Sequence, residues 1–174
     1  PKILWVRSLS VIYNPKMAID VLAILKTSFL EAELCMVGQE KDVRIDELKE
    51  YADSLGVNVT FTGKLSKTDW IKLSENYDIF INTTHFDNTP VSLIEALALG
   101  LPVVSTNVGG IPYLVRDKET ALLVNDSDSQ AMADAINELI KSPELAKELA
   151  ANGRKLAEQF DWQIVKNHWK EILK

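Results

Sequence analysis

Two acids set eight residues apart, Asp87 and Glu95, are the strongest chemical signal in this chain. They flank the expected start of a helix within the stretch from Ile79 to Pro112, IFINTTHFDNTPVSLIEALALGLPVVSTNVGGIP. Pro90 suits the first helical position, where its missing N–H costs nothing, and Thr89 before it is a candidate N-cap. Leu93, Ile94, Leu97 and Ala98 would form the core face, which leaves Glu95 off it. Gly100 can take the left-handed cap and Pro102 opens the next strand. Free amides at Val91 and Ser92, reinforced by the helix dipole, can accept a phosphate. A carboxylate one turn further in can accept hydrogen bonds from two vicinal hydroxyls. The pattern therefore suits a phosphorylated, hydroxyl-rich ligand. Asp87 can equally organise its loop as an Asx-turn, and the two roles are compatible. His85 reads more readily as a neutral loop residue than as a general base.

The elements that must position these groups follow from apolar periodicity. Strand-type runs fall near 2–6, 32–37, 57–62, 79–82, 102–106 and 121–124. Helical segments fall near 15–28, 43–55, 67–74 and 90–99, with a short turn near 111–115. After Val124, NDSDSQ caps a helix reaching Lys141, Ser142-Pro143 starts another, and Asp161 caps a last one ending at Lys174. Six strands alternating with helices predict an α/β domain built on a doubly wound, Rossmann-like parallel sheet covered on both faces. Ligands of such sheets bind beyond the carboxyl ends of the strands. Arg7, Gly38, Gly63-Lys64, Asp87 and Gly109-Gly110 all follow expected strands, so they gather on that edge.

Composition sets the class. A chain of 174 residues with 47% apolar and 25% charged residues forms one domain, 1–174, without disulfide or metal support. A net charge of −6 disfavours a nucleic-acid partner. The single cysteine, Cys35, lies in an apolar strand and reads as a buried thiol. With no signal peptide, lipidation motif or apolar stretch of spanning length, the expected compartment is the cytoplasm. The chain starts directly on a strand without an initiator Met, which suggests a piece of something longer. No His, Cys or carboxylate cluster has metal-ligand spacing, so no intrinsic metal is expected. No G-x-G-x-x-G occurs, which removes a nicotinamide dehydrogenase. A phosphorelay receiver is set aside because its acidic cluster after the first strand is missing.

The acids, the EALALGLPVV run and the Gly-Gly turn together resemble the nucleotide-sugar signature of retaining glycosyltransferases of the family 4 type (group 1). That signature is E-x7-E followed by EAxAxGxPVV. Here the second acid is Glu95 and the first is the shorter Asp87, while Thr89-Pro90 stands where many members have an aromatic residue and Gly. The similarity continues through LCMVGQ, FTGKLS and ALLVNDSD to the terminal helices. It implies the carboxyl-terminal, donor-binding half of a glycosyltransferase B fold, with the amino-terminal acceptor domain absent from this chain.

The resemblance also implies roles. Arg7 would meet the donor diphosphate, its planar fork suiting two phosphate oxygens. Lys16 is a second basic candidate at the next helix start, although IYNPK replaces the usual family pattern there. Gly63, Lys64 and Leu65 would hold the nucleobase, and Lys64 could reach a phosphate. Glu95 would hold the ribose diol, and Asp87, aided by Asn88 and Thr89, the hydroxyls of the transferred sugar. Val91 and Ser92 would present amides to phosphate. Arg7 and Asp87 are thus the expected catalytic pair. The implied reaction is sugar transfer from a nucleoside diphosphate sugar with retention, in glycan or surface polysaccharide synthesis. It needs no cofactor and no obligatory metal, and it works by electrostatic stabilisation of the leaving diphosphate. The expected partners are the nucleotide sugar and the missing domain, onto which a final helix carrying Trp162, Trp169 and Ile172 would cross back. Those tryptophans could instead complete this domain's own core. Any membrane contact would come through the absent part, and the isolated domain would turn over little. Two alternatives stay open: a nucleotide-sugar epimerase of the same architecture, and a binding module without chemistry.

Overall fold

Parallel strands covered on both faces read as continuous apolar runs, and the computed structural model, which describes residues 1–173, has six strands among those residues, of which the one at Val59–Gly63 is only partly buried. They are β1 (Lys2–Val6), β2 (Glu33–Val37), β3 (Val59–Gly63), β4 (Ile79–Asn82), β5 (Val103–Thr106) and β6 (Leu122–Val124). All pair in parallel, in the order β3-β2-β1-β4-β5-β6. The helices are α1 (Pro15–Lys26), α2 (Ile45–Ser54), α3 (Lys67–Ser74), α4 (Val91–Ala98), α5 (Ile111–Leu114), α6 (Ser129–Lys141), α7 (Pro143–Glu158) and α8 (Trp162–Ile172). The doubly wound sheet expected from the sequence is therefore the observed one. The order reverses between β1 and β4, the switch point beside which such sheets bind ligands.

The alternation of β1 divides the core into two layers. Ile3 and Trp5 face one side with Ile19, Leu22, Met132 and Ile136, which come from α1 and α6. Leu4 faces the other with Phe80, Leu93, Leu97 and Ile111. On that second side Gly153 lets α7 lie against α4, since a Cβ there would stand 2.5 Å from a Leu97 methyl. Cys35 is buried as expected, and that burial pushes its thiol pKa up, opposed by a hydrogen bond with Tyr77.

Several expectations are corrected in detail. The core face of α4 is Leu93, Ala96 and Leu97; Ala98 is exposed. The third strand begins two residues later than its apolar run suggests and lies on the sheet edge. A 3-10 turn at Val11–Tyr13, unforeseen in the sequence, precedes α1. It is tied to the sheet through a buried relay: Trp5 Nε1–H donates to Thr83 Oγ1 (2.9 Å), and the Thr83 hydroxyl faces the carbonyls of Tyr13 (2.8 Å) and Asn14 (2.9 Å). At the other end of the chain, Trp162 and Trp169 are more than half exposed, so they do not complete this domain's core. Lys174, where the last helix was expected to end, lies outside the described residues.

Candidate functional site

A cleft of about 360 Å³ opens at the carboxyl ends of β1, β2 and β3. Its walls are Val6, Arg7, Ser8, Val37, Gly38 and Gln39 on one side, and Lys64, Leu65, Lys67, Trp70 and Glu95 on the other. The strands meet tightly beneath it. The Arg7 amide donates to the Val37 carbonyl (3.0 Å) and the Gly38 amide to the Gly63 carbonyl (2.9 Å). A Cβ on Gly38 would stand 1.7 Å from the Arg7 carbonyl oxygen, so only glycine permits this approach. Gly63 itself takes a left-handed backbone, φ 70°, and turns the chain so that Lys64 and Leu65 reach the cleft.

The Arg7 side chain is folded over this floor. Its Nη2 donates to Asp87 Oδ2 in an ion pair whose side chains are only 12% and 14% exposed. Its guanidinium carbon also lies 3.9 Å from the centroid of the Tyr13 ring. Its Nε is buried and finds no hydrogen-bond partner among the described residues. The two residues expected to be catalytic are thus in contact with each other, an arrangement no spacing in the sequence announces.

Asp87 is held from its own loop and from the Gly-Gly turn. Its Oδ1 accepts from the Thr89 amide (3.0 Å), which is the Asx-turn anticipated as one of its roles. Its carbonyl accepts from the Gly110 amide (2.8 Å). A Cβ on Gly109 would lie 2.3 Å from the Asp87 carbonyl oxygen, and one on Gly110 would lie 2.0 Å from that of Asn88. The two glycines let the loop after β5 seat directly on the loop after β4.

At the start of α4 the expected capping is corrected. Pro90 occupies the N-cap itself, with no side-chain cap, and Thr89 turns its amide to Asp87 instead. Val91 is exposed, and the buried Ser92 hydroxyl finds no partner among the described residues. Asn88 and Thr89 stand exposed in front of the helix. One turn in, Glu95 is half-buried and its Oε1 lies 2.6 Å from the ammonium of Lys67.

Lys16 does not line this cleft. Its ammonium sits over the Tyr51 ring, 5.1 Å from the centroid, beside a separate cavity shared with Asp42, Glu47 and His85. The first basic side chain of α1 thus faces α2, which carries Tyr51. His85 pairs with the Asp126 carboxylate through Nδ1 (2.8 and 3.0 Å) and also stands apart from the cleft. Sequence reasoning missed Tyr13, Lys67 and Trp70. Lys67 carried a detectable signal, a cation in the first turn of a helix, where the dipole disfavours it unless an anion is near. Tyr13 and Trp70 carried none, since an aromatic at such a position reads as core.

Known proteins share this arrangement of chain. Residues 1–156 match the family model described as glycosyl transferases group 1. The chain is 34% identical over 122 residues to the D-inositol 3-phosphate glycosyltransferase of Rhodococcus jostii, covering 69% of this chain and 27% of that protein. It is 32% identical over 151 residues to the capsular polysaccharide biosynthesis glycosyltransferase CapM of Staphylococcus aureus, covering 86% of this chain and 38% of that one. Among solved structures, Anabaena HepE in complex with UDP and glucose superposes with a TM-score of 0.90 at 24% identity, over 99% of this chain and 47% of HepE. The carboxyl-terminal domain of the group 1 protein LpcC from Francisella tularensis superposes with a TM-score of 0.80 at 20% identity, over 91% of this chain and 85% of that domain. The chain therefore spans well under half the length of these curated relatives. Its signature residues, sheet order and the family match agree: the chain belongs to the group 1 glycosyltransferases and has the fold of the carboxyl-terminal half of a glycosyltransferase B enzyme.

Proposed function

We propose that this chain binds the nucleoside diphosphate sugar of a retaining glycosyltransferase acting in glycan or surface polysaccharide synthesis. One observation carries the reading: Arg7, from the end of β1, and Glu95, from α4, line the same cleft at the carboxyl edge of the sheet, with Leu65 between strand and helix as an apolar seat for a base. A diphosphate takes the Arg7 end and the ribose diol the Glu95 end. Arg7, together with the amides at the start of α4, stabilises charge as it builds on the leaving diphosphate. Lys64 lines the same cleft and adds positive charge. Asn88 and Thr89 offer exposed polar groups to the transferred sugar, and Asp87 acts on it from the same loop. The similarity to CapM supports the polysaccharide context, and the fold shared with HepE, whose complex holds UDP and glucose, makes UDP-hexose the first donor to try.

Acceptor recognition and part of the catalytic machinery belong to an amino-terminal domain outside this chain. The exposed apolar side chains of α8, Trp162, Ile164, Trp169 and Ile172, fit a helix that packs onto that domain, and this half alone turns over little. The donor is used without an obligatory metal, its charge being met by side chains and amides. Calorimetric titration with UDP, GDP and ADP and their hexose derivatives tests the reading. Saturable binding of one nucleotide, weakened at least tenfold by Glu95→Ala, is expected. No binding of any of them at millimolar concentration, or binding indifferent to Glu95→Ala, overturns it. Sugar transfer by the full-length protein separates an enzyme from a binding module.

A further inference from the structure

We infer that Tyr13 is a positioning residue for Arg7: its ring is the platform that fixes the guanidinium at the diphosphate end of the cleft. The inference rests on the donor reading above and adds to it a residue outside every motif that carried that reading.

Arginine has a long side chain with much rotamer freedom to lose, and a phosphate-binding guanidinium is useful only if its fork is already aimed. Two contacts remove that freedom here. Asp87 holds Nη2 along one edge of the guanidinium plane, and Tyr13 lies 3.9 Å from the guanidinium carbon. At that distance the pair is a cation–π contact, strengthened because Arg7 is largely withdrawn from solvent. The Nε donor of the group is buried without a partner among the described residues. Among the described residues the side-chain hydrogen bond that sets the orientation of Arg7 is that to Asp87, and the ring supplies the second constraint.

Tyr13 is itself rigidly mounted. It ends the 3-10 turn Val11–Tyr13, and its carbonyl accepts from Thr83, whose hydroxyl in turn accepts from the indole of Trp5. Trp5 lies in β1, two residues before Arg7, and is fully buried. The platform and the arginine are thus fastened to the same strand. Asn14 follows with a left-handed backbone, φ 47°, and its side chain caps α1 by accepting from the Met17 amide (3.3 Å). Lys16, two residues on, stands over Tyr51, so what this loop brings against Arg7 is an aromatic face.

The test compares a nucleoside diphosphate with its nucleoside, since only the former engages Arg7. Binding of UDP and of uridine is measured by calorimetry for the wild type, Tyr13→Phe and Tyr13→Leu, with GDP and guanosine or ADP and adenosine substituted if that base is the one that binds. Tyr13→Phe keeps the ring and is expected to keep the ratio of diphosphate to nucleoside affinity within twofold. Tyr13→Leu is expected to lower that ratio about three- to tenfold, with nucleoside affinity unchanged within twofold. An unchanged ratio in Tyr13→Leu overturns the inference, as does an equal fall in both ligands, which marks a general loosening of the loop. Equal loss in Phe and Leu overturns it too, because the hydroxyl and not the ring face would then be responsible. If the wild type binds none of the diphosphates, the donor reading itself fails, and this inference with it.

Discussion

The Lys67 ammonium lies 2.6 Å from the Glu95 carboxylate and bridges the first turn of α3 to the middle of α4 across the mouth of the cleft. The lysine is 70% exposed and the glutamate 23%, so the pair is a surface one in strength, about 0.2–1 kcal/mol, and is screened by salt. A ribose diol that takes both carboxylate oxygens must displace it. Lys67→Met is therefore expected to tighten nucleoside binding about two- to fivefold at low ionic strength. The gain should vanish near 1 M salt. Titrations at two salt concentrations check this, and weaker binding in the variant would show that Lys67 contributes to the ligand instead.

The Arg7–Asp87 pair differs because both partners are mostly withdrawn from water. Removing one partner of a buried pair leaves the other charge without compensation. Asp87→Ala is expected to lower stability by about 2–4 kcal/mol, and Asp87→Asn by less, since an amide oxygen still accepts from Arg7. Urea unfolding of the variants measures the difference. A midpoint equal to that of the wild type in Asp87→Ala would mean that the pair opens freely in solution.

The Gly-Gly turn should be intolerant for a reason that a control can isolate. Gly110→Ala places a Cβ 2.0 Å from the Asn88 carbonyl and forces the Asp87 loop to move. Overpacking of this kind costs about 1–3 kcal/mol and here should also weaken nucleotide binding. Gly56→Ala meets nothing within 4 Å and carries only the strain of its left-handed backbone, about 1–2 kcal/mol. Equal stability loss in the two variants, with binding lost in Gly110→Ala alone, is the expected pattern; retained binding in Gly110→Ala would detach the turn from the site.

Alkaline stability should report on the contact between α1 and α2. The Tyr51 hydroxyl donates to Asp20 (2.5 Å), and this bond, with burial second, pushes the tyrosine pKa up from 10.0 to about 12. The folded state favours the protonated phenol, so its contribution is complete below pH 10 and is lost as pH rises through about 12. Wild-type stability should fall across that window more steeply than that of Tyr51→Phe. Parallel slopes in denaturant melts between pH 9 and 12 would contradict this.

The sheet was legible in the sequence by itself, because strands buried on both faces read as apolar runs, and residues 3–6, 79–81 and 103–104 are such runs. The sequence also determined that Arg7, Gly38, Lys64, Asp87 and Gly109 share an edge, since each follows a parallel strand. Ends were less legible. The third strand and the cap of α4 shifted by one or two residues because edge hydrogen bonding and the Asp87 turn, not local propensity, decide where they begin. Which of those edge residues touch was decided only by tertiary packing. Arg7 meets Asp87 because β1 and β4 are neighbours in the sheet, it meets Tyr13 through the fold-back of its own loop, and Lys67 meets Glu95 where α3 approaches α4. Lys16 is close to Arg7 in sequence, yet its ammonium stands over Tyr51 of α2 and outside the cleft that Arg7 lines. Periodicity records which face of an element is apolar; contacts between loops depend on backbone paths of a few residues, which no repeating pattern encodes.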